Sequence, residues 1–360
     1  MRSTDVLRAW GRILSGHRPS LSIEITRECP LRCPGCYAYE DGHVSDGINL
    51  RQLSDKKGDA LIQGVLQVVD EFQPLHLSIV GGDPLVRFRE LDVLLPLLEK
   101  RGLHVQVVTS AFREIPKSWS AIRGLSIVVS VDGLQPEHDA RRKPATYERI
   151  LKNIREHHVT IHCTITAQMM QRPGYLQDFL EFWTCKNEVK KVWISFFTPQ
   201  KGASAPEILS PGQRAQAVRE LMVLRQLYPK LDMPASVLRE FLRPPTSPEQ
   251  CIFAQTTTII SADLRTRVVP CQFGGNPDCS QCGCMASMGL AALGHRRLAP
   301  GLTPGGLLKA SMKIGSALKK ISGAEKLQYL RQEKLTTISW QTDSVPSDSE
   351  AHLPVKIDGK

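Results

Sequence analysis

Short apolar runs rich in valine, isoleucine and threonine alternate along the chain with longer segments in which apolar residues recur at helical spacing. The short runs predict strands, and the longer segments predict helices that cross from one strand to the next. This alternation is typical of parallel βα units. The predicted strands are Leu21–Thr26, Leu75–Val80, His104–Ser110, Leu125–Val131, Val159–Thr166 and Val192–Phe197, and the predicted crossover helices are Ala60–Phe72, Phe88–Lys100, Tyr147–His157 and Tyr175–Trp183.

Six such units predict an α/β fold, a partial (β/α)6 TIM-like barrel with a small cysteine-rich C-terminal extension. In barrels of this kind the functional residues gather where the strands end, because the βα loops converge on one face. The expected organisation is an amphipathic helix over residues 1–20, the barrel over 21–230, a cysteine-rich region over 231–300, a basic helix over 301–335 and a flexible tail over 336–360.

Composition limits the class of protein. A chain of 360 residues with 41% hydrophobic residues can bury a substantial core. No apolar run reaches the length of a membrane-spanning helix, and the first residues lack the continuous apolar stretch of a secretory signal. Ten cysteines are too sparse for a disulfide scaffold, and their clustering indicates metal ligation instead. We therefore expect a cytoplasmic protein.

Three of the cysteines follow the first predicted strand in the sequence Cys29-Pro-Leu-Arg-Cys33-Pro-Gly-Cys36. Thiolates at this C-x3-C-x2-C spacing can hold three irons of a 4Fe-4S cubane, because soft sulfur ligands suit iron–sulfur clusters. The fourth iron then has no protein ligand and can bind the amino and carboxylate groups of a small molecule. Zinc is the alternative, but structural zinc normally takes four ligands and the nearest other cysteine is Cys163.

This loop resembles that of the radical S-adenosylmethionine (SAM) superfamily, whose hallmark is a C-x3-C-x2-C loop after the first barrel strand. After the second predicted strand, Gly81-Gly82-Asp83-Pro84 is similar to the family's GGEP motif, with aspartate in place of glutamate. Two glycines let the backbone approach a ligand, and the carboxylate of Asp83 can counter an ammonium charge. The resemblance covers about the first 200 residues.

The later strand ends extend the resemblance to residues that would bind SAM. Ser130-Val131-Asp132-Gly133 resembles the family's strand-four region, which implies that Ser130 and Asp132 hydrogen-bond ribose hydroxyls. Arg142, or alternatively Arg141, would pair with the methionyl carboxylate, although a surface charge also explains this pair of arginines. With looser matches at strands three, five and six, the implied cofactor-binding residues are Gly81, Gly82, Asp83, Pro84, Thr109, Ser130, Asp132, Arg142, Thr164 and Phe196.

A second group of cysteines lies in the extension, at Cys251, Cys271, Cys279, Cys282 and Cys284. A predicted hairpin, formed by Thr256–Ser261 and Arg267–Pro270, would bring Cys251 and Cys271 together. The arrangement resembles the SPASM or Twitch extensions of radical SAM enzymes and implies one auxiliary 4Fe-4S cluster. The usual hairpin glycine is absent, and four of the five thiols would also satisfy zinc.

The resemblance implies a radical enzyme with two cofactors at its first site, a 4Fe-4S cluster and SAM. The reduced cluster would cleave SAM to methionine and a 5′-deoxyadenosyl radical, which would abstract hydrogen from a substrate. A low-potential electron donor such as flavodoxin or ferredoxin would supply the electron. The auxiliary-cluster resemblance favours a peptide substrate.

Charge and amphipathicity leave other partners open. Leu7, Trp10 and Leu14 share one helical face beside Arg8 and Arg12, and 307–330 repeats that mixture, so a lipid or other apolar metabolite and peripheral contact with the inner membrane face are alternatives. The net charge of +10 also allows a non-catalytic Fe-S or zinc protein that binds nucleic acid through its basic surface. The basic residues form no compact recognition motif, so we expect no specific nucleic acid.

Overall fold

The computed structural model describes residues 3–44, 47–144 and 147–321 of the chain. The predicted tail over 336–360 and the last part of the predicted basic helix lie outside the described residues. The strands are β1 (Ser20–Glu24), β2 (His76–Val80), β3 (His104–Thr109), β4 (Leu125–Ser130), β5 (Val159–Ile165), β6 (Val189–Phe196) and β7 (Thr257–Ile260). The α-helices are α1 (Ser3–Leu14), α2 (Gly58–Phe72), α3 (Phe88–Lys100), α4 (Gln135–Arg141), α5 (Tyr147–Asn153), α6 (Tyr175–Thr184), α7 (Pro211–Leu227), α8 (Ala235–Glu240), α9 (Ile252–Thr256), α10 (Met285–Gly294) and α11 (Pro304–Ile321).

The seven strands form one sheet in the order β6-β5-β4-β3-β2-β1-β7, and every neighbouring pair is parallel. The α/β class and the six predicted strands are confirmed. The segment predicted as the first arm of a hairpin forms β7, which pairs with β1 and extends the barrel sheet. The division of the chain into domains stays a prediction.

The two faces of the sheet differ in polarity. Residues that point towards the surrounding helices are apolar and buried, such as Ile23, Ile79 and Val129. On the opposite, inner face the register aligns polar side chains across neighbouring strands, in the rows Ser22–Ser78–Gln106–Ser126 and Ser130–His162–Trp193. Most of these inner side chains are half-buried. The sheet therefore packs its core on the helix side and keeps a polar lining inside the barrel.

The chain after β7 connects the two edges of the sheet. It first turns back on β7, where the amide of Ser261 donates to the carbonyl of Thr266 at 2.8 Å. Leu264 takes the left-handed backbone conformation (φ 60°) that a glycine usually adopts, and the side chain of Asp263 accepts from the amides of Arg265 and Thr266. A side-chain hydrogen bond thus supports a short antiparallel turn that lacks the expected glycine.

The same segment then reaches the far edge, beyond β6. The amide of Phe196 donates to the carbonyl of Gly283 at 2.9 Å, and the amide of Asp278 donates to the carbonyl of Pro199 at 2.8 Å. The amide of Lys201 donates to the carbonyl of Asn276 at 2.9 Å. We call residues 261–284 the closing segment, because it runs from the β7 edge to the end of β6.

The terminal helices α1 and α11 pack against each other. Leu7 on α1 and Ile314 and Leu318 on α11 remain exposed, at 72%, 52% and 52%. Contact of this surface with a membrane stays a prediction. Within the described residues, no helix is both long and apolar enough to cross a membrane.

Substitution of Gly283 tests the contact between Gly283 and Phe196, which holds the closing segment against the end of β6. A Cβ atom there would lie 2.0 Å from the carbonyl oxygen of Phe196, which is backbone and cannot move aside easily. We expect Gly283→Ala to lower the free energy of unfolding by about 3 kcal/mol, measured by urea denaturation.

Gly289 in α10 is the matched control, since nothing lies within 4 Å of a Cβ built there. Gly289→Ala should leave stability unchanged or raise it by up to about 1 kcal/mol, because alanine favours a helix over glycine. Equal effects of the two substitutions would contradict the role given to Gly283.

Candidate functional site

The loop after β1 carries Cys29, Cys33 and Cys36, all partly exposed and all unpaired. Hydrogen bonds hold the loop on both sides: the amide of Arg32 donates to the carbonyl of Lys143 at 2.6 Å, and the amide of Asp83 donates to the carbonyl of Glu28 at 2.9 Å. The three thiols are close enough that the charges of Cys33 and Cys36 raise the pKa of Cys29, although its burial is the larger cause. The loop therefore gathers its thiols at the C-terminal end of β1.

Among the described residues, no three His, Cys, Asp or Glu side chains are placed to hold a single metal ion. A cubane binds each thiolate through a different iron, so its ligands need not converge on one point. Three soft thiol donors on one short loop fit a 4Fe-4S cluster with one open iron, and these residues would hold it.

The glycines after β2 allow the first two βα loops to touch. Gly81 has φ +125°, and a Cβ on Gly82 would lie 2.0 Å from the carbonyl oxygen of Glu28. Asp83 is 2% exposed. Its carboxylate accepts from the hydroxyl of Thr109 at 2.7 Å, from the amide and hydroxyl of Ser110 at 2.8 and 2.5 Å, and from the amide of Leu85 at 3.0 Å.

These four bonds direct the carboxylate of Asp83 into the protein. They make it the link between the ends of β2 and β3. That it counters an ammonium group of a ligand stays a prediction. Thr109, predicted to approach the cofactor, serves the same link through its hydroxyl. Burial raises the pKa of Asp83 even though its hydrogen-bond donors oppose the shift.

The end of β4 holds a buried ion pair beside the cysteine loop. The guanidinium of Arg142 lies 2.9 Å from one carboxylate oxygen of Asp132 and 3.3 Å from the other, and Arg141 lies 3.1 Å away. Burial would raise the pKa of Asp132, but the two guanidiniums lower it to about 2. Arg141 also binds Glu207 at 2.9 Å.

This pairing brings together two residues that the sequence assigned to different parts of SAM. Asp132 was predicted to bind ribose and Arg142 to bind a carboxylate, and here each is the other's partner. The charge of Arg142 also acts on Cys33 and Cys36, so its guanidinium lies near the cysteine loop. The ion pair is therefore adjacent to the thiols and anchored in the protein.

Strands β5 and β6 put the remaining predicted residues on opposite faces. Thr164 pairs with Ser195 in the register and lies on the inner face, as does Ser130 beside His162. Phe196 is 1% exposed, stacks on Phe241 at a centroid distance of 4.4 Å and faces the helices.

Phe196 therefore lies away from the inner face and does not form the wall for adenine that the sequence suggested. Its neighbour Phe197 takes the place beside the loop, because its ring lies 3.5 Å from a Cβ built on Gly35. Successive side chains on a strand point to opposite faces, so a shift of one residue exchanges their roles.

Sequence reasoning missed a buried group that joins the two cysteine regions. Nε2 of His43 lies 2.7 Å from Oε1 of Glu24, the hydroxyl of Ser261 donates to Oε2 of Glu24 at 2.6 Å, and Nδ1 of His43 lies 3.0 Å from the carbonyl oxygen of Phe273. Burial lowers the pKa of His43, but the hydrogen bond and charge of Glu24 raise it to a net value above the ordinary one. The signal available in the sequence was Glu24, a charged residue in the otherwise uncharged strand β1.

Tyr37 lies within this group. Its ring is 5.5 Å from the rings of both His43 and Phe273, measured between centroids. It directly follows Cys36 in the chain, and the charge of Cys284 in the closing segment acts on its hydroxyl. The first cysteine loop and the closing segment thus share one half-buried aromatic wall.

All five later cysteines line one cavity of about 400 Å³, including its mouth; they are Cys251, Cys271, Cys279, Cys282 and Cys284. Arg214 on α7 fixes the far side of this cavity by donating to the carbonyls of Cys282 at 3.0 Å and Gln281 at 2.6 Å. The thiol of Cys251 lies 3.2 Å from the hydroxyl of Ser287. The cavity collects the thiols that the sequence grouped, whereas Cys163 is buried in the core and Cys185 is exposed.

Residues 23–175 match the model of the Radical SAM superfamily. No curated protein sequence matches the chain. Among solved structures, the chain is similar to Streptococcus suis SuiB bound to its precursor peptide SuiA, with TM-score 0.52, 15% identity and coverage of 75% of this chain and 63% of SuiB. It is also similar to anSMEcpe with bound AdoMet, with TM-score 0.52, 16% identity and coverage of 75% and 79%.

Residues 23–175 therefore resemble a radical SAM superfamily domain, and the partial TIM-like barrel is the fold of the solved structures that the chain resembles. The chain spans 63% of the length of the peptide-bound SuiB chain.

Replacement of Asp132 tests how much its ion pair contributes to stability. Asp132→Asn leaves two guanidiniums without their buried partner, and we expect it to lower the free energy of unfolding at pH 7 by about 3 kcal/mol. The pKa of Asp132 is about 2 in the folded protein against an ordinary 3.8. Its contribution is therefore complete above about pH 4 and is lost as the pH falls towards 2.

Urea denaturation of the wild type and of Asp132→Asn at pH 7, 4 and 3 measures this contribution. The difference between their free energies of unfolding should become smaller as the pH falls. Asp70→Asn is the control, because that carboxylate is 61% exposed in its pair with Arg101 and its loss should change little. A constant difference from pH 7 to pH 3 would count against the ion pair as its source.

Proposed function

We propose that this chain is a radical SAM enzyme that cleaves SAM reductively at a 4Fe-4S cluster held by Cys29, Cys33 and Cys36. The observation that carries the proposal is the position of the three thiols at the end of β1, with the Asp132–Arg142 pair directly beside them. The match over residues 23–175 and the similarity to a structure with bound AdoMet support it.

When bound, the cluster and SAM supply a 5′-deoxyadenosyl radical that abstracts hydrogen from the substrate. The chain's own residues position and shield them. Gly81 and Gly82 let the backbone come close to the first loop, Arg142 places a positive charge beside the thiolates, and the half-buried inner face keeps the reacting groups away from bulk water.

The inner face supports a peptide as the substrate class. Its rows of serine, glutamine and histidine offer neutral hydrogen-bonding groups, which suit amides and hydroxyls better than a hydrocarbon chain. Similarity to SuiB, whose structure holds a precursor peptide, agrees with this choice. A lipid or other apolar substrate would leave these polar groups unpaired.

We also propose an auxiliary 4Fe-4S cluster of the SPASM or Twitch kind in the cavity of the later cysteines. Five thiols around one cavity supply more than the four ligands that such a cluster needs. Ten unpaired thiols in one chain support a reducing, cytoplasmic location for both sites.

The first test is formation of 5′-deoxyadenosine. After anaerobic reconstitution with iron and sulfide, protein mixed with dithionite and SAM should release 5′-deoxyadenosine, measured by chromatography and mass spectrometry. Cys29→Ala, Cys33→Ala and Cys36→Ala should each abolish release, because three thiolates are needed to leave one iron open. Cys185→Ala should have no effect, since this exposed thiol lies outside both sites.

A wild-type protein that assembles its cluster and forms no 5′-deoxyadenosine would refute the proposal and favour a non-catalytic Fe-S protein. The same assay reports the substrate class. Transfer of deuterium from labelled peptides into 5′-deoxyadenosine supports a peptide substrate, and transfer only from labelled fatty acids contradicts it.

The second test measures iron. The double variant Cys251→Ala/Cys271→Ala leaves three thiols in the later cavity, fewer than the four ligands of a cluster, so it should lose the iron of one cluster on reconstitution while the first cluster remains. Iron analysis and Mössbauer spectroscopy measure this, with Cys163→Ala as a control for a buried thiol in the core. Unchanged iron in the double variant, or zinc in place of iron in the purified wild type, would contradict the auxiliary cluster.

A further inference from the structure

A second cleft opens beside the first cysteine loop, separate from the cavity of the later cysteines. It has a volume of about 580 Å³ and is open to solvent, and Cys29 and Pro30 form part of its wall. Arg27, Arg51 and Arg113 surround it. We call it the Cys29 cleft, because it leads from the surface to a thiol of the first site.

Aromatic rings and backbone carbonyls hold these arginines. The guanidinium carbon of Arg51 lies 4.0 Å from the ring centroid of Tyr39, and that of Arg113 lies 3.5 Å from the ring centroid of Phe88. Arg27 donates to the carbonyls of Arg51 and Leu53 at 3.2 and 3.0 Å. Such contacts fix a guanidinium in place without cancelling its charge.

The carboxylates near the cleft are already neutralised. Glu28 lies 2.7 Å from Lys57 and 2.9 Å from Arg87, and Asp55 lies 2.8 Å from Arg87. Asp55 accepts from the backbone amide of Arg27 at 3.3 Å, but its carboxylate lies 3.9 Å from the Arg27 guanidinium. Among the described residues, the buried Nε of Arg113 has no hydrogen-bond partner. The rim of the cleft therefore keeps a net positive charge.

We propose that the Cys29 cleft is the docking site of an acidic, flavodoxin-type electron carrier that reduces the cluster. This rests on the proposed function, since only a cluster at Cys29, Cys33 and Cys36 gives such a partner a role. The anionic flavin hydroquinone loses one electron and becomes the neutral semiquinone. The cluster gains that electron and passes from its 2+ to its 1+ state, and no proton moves.

The arrangement fits a protein partner better than a small anion. The three arginines stand on separate segments, after β1, before α2 and after β3, and each has its own anchor. Charges distributed in this way steer an oppositely charged protein towards a surface and increase its association rate. Because a cluster thiol forms part of the wall, a carrier seated there brings its flavin towards the first site.

The test compares two reductants of one reconstituted protein. Reduced flavodoxin is a protein of acidic surface, and photoreduced 5-deazariboflavin is a small uncharged molecule that needs no docking site. Stopped-flow absorbance follows bleaching of the cluster by each. With flavodoxin, Arg51→Gln should slow the bimolecular rate at low salt by roughly threefold, and the Arg27, Arg51 and Arg113 triple glutamine variant by about tenfold or more. Added salt should lower the rate at which flavodoxin reduces the wild type, and it should reduce the differences in rate between the wild type and the variants.

Arg123→Gln is the matched control. It removes the same charge from a side chain that is 95% exposed and outside the cleft, and it should change the flavodoxin rate by less than about twofold. With 5-deazariboflavin all variants should be reduced at the wild-type rate and should form 5′-deoxyadenosine equally.

Three results would overturn the docking site: equal slowing by Arg123→Gln and Arg51→Gln, a flavodoxin rate that does not depend on salt, or slowing of the rim variants with both reductants. A rim variant that keeps its flavodoxin rate and raises only the KM of an anionic substrate would assign the cleft to that substrate. Absence of 5′-deoxyadenosine in wild type reduced by 5-deazariboflavin would refute the proposed function instead, independently of the rim.

Discussion

Hydrogen bonds between residues 196–201 and residues 276–283 hold the chain that follows β7 against the end of β6. Without them the sheet would end in two free edges, β6 on one side and β7 on the other. The polar inner face would then be open along its length, because a sheet of seven strands does not close on itself as an eight-stranded barrel does. Cys271, Cys279, Cys282 and Cys284 belong to the segment that makes this closure, and Cys251 precedes β7, so the later cavity forms part of the barrel wall.

Much of the fold could be predicted because its signals are local. The bounds of α3 coincide with the prediction, Phe88–Lys100, and each of the six expected strands is present with ends that differ by a few residues. The seventh strand was assigned to a separate hairpin. Thr257–Ile260 has the composition of a strand in either setting, and only its parallel pairing with β1, more than 230 residues away in the chain, decides between them.

The candidate site likewise has features that are local in the sequence and features that depend on distant contacts. The C-x3-C-x2-C spacing and its position after β1 could be predicted from the sequence. The partners of Asp83, Asp132 and Arg142 could not, because they depend on how neighbouring strand ends meet. Phe196 and Phe197 are adjacent phenylalanines at the end of β6. The register of the strand decides which of the two side chains lies on the helix side of the sheet, and the sequence alone does not fix it. The pair Glu24–His43 needed the whole closing segment to be in place before its burial could be explained.

Tyr37 gives the two cysteine regions a common wall, and this has a thermodynamic consequence. A ligand that orders one side of a shared wall reduces the conformational freedom that a ligand on the other side must still restrict. Binding of a ligand to the first loop and binding of a ligand to the later cavity are then linked. By reciprocity, each bound ligand changes the affinity of the other site for its own ligand by the same factor. With the two clusters proposed above, maturation of the protein would be cooperative, and chains with one filled site would be rarer than independent filling would produce.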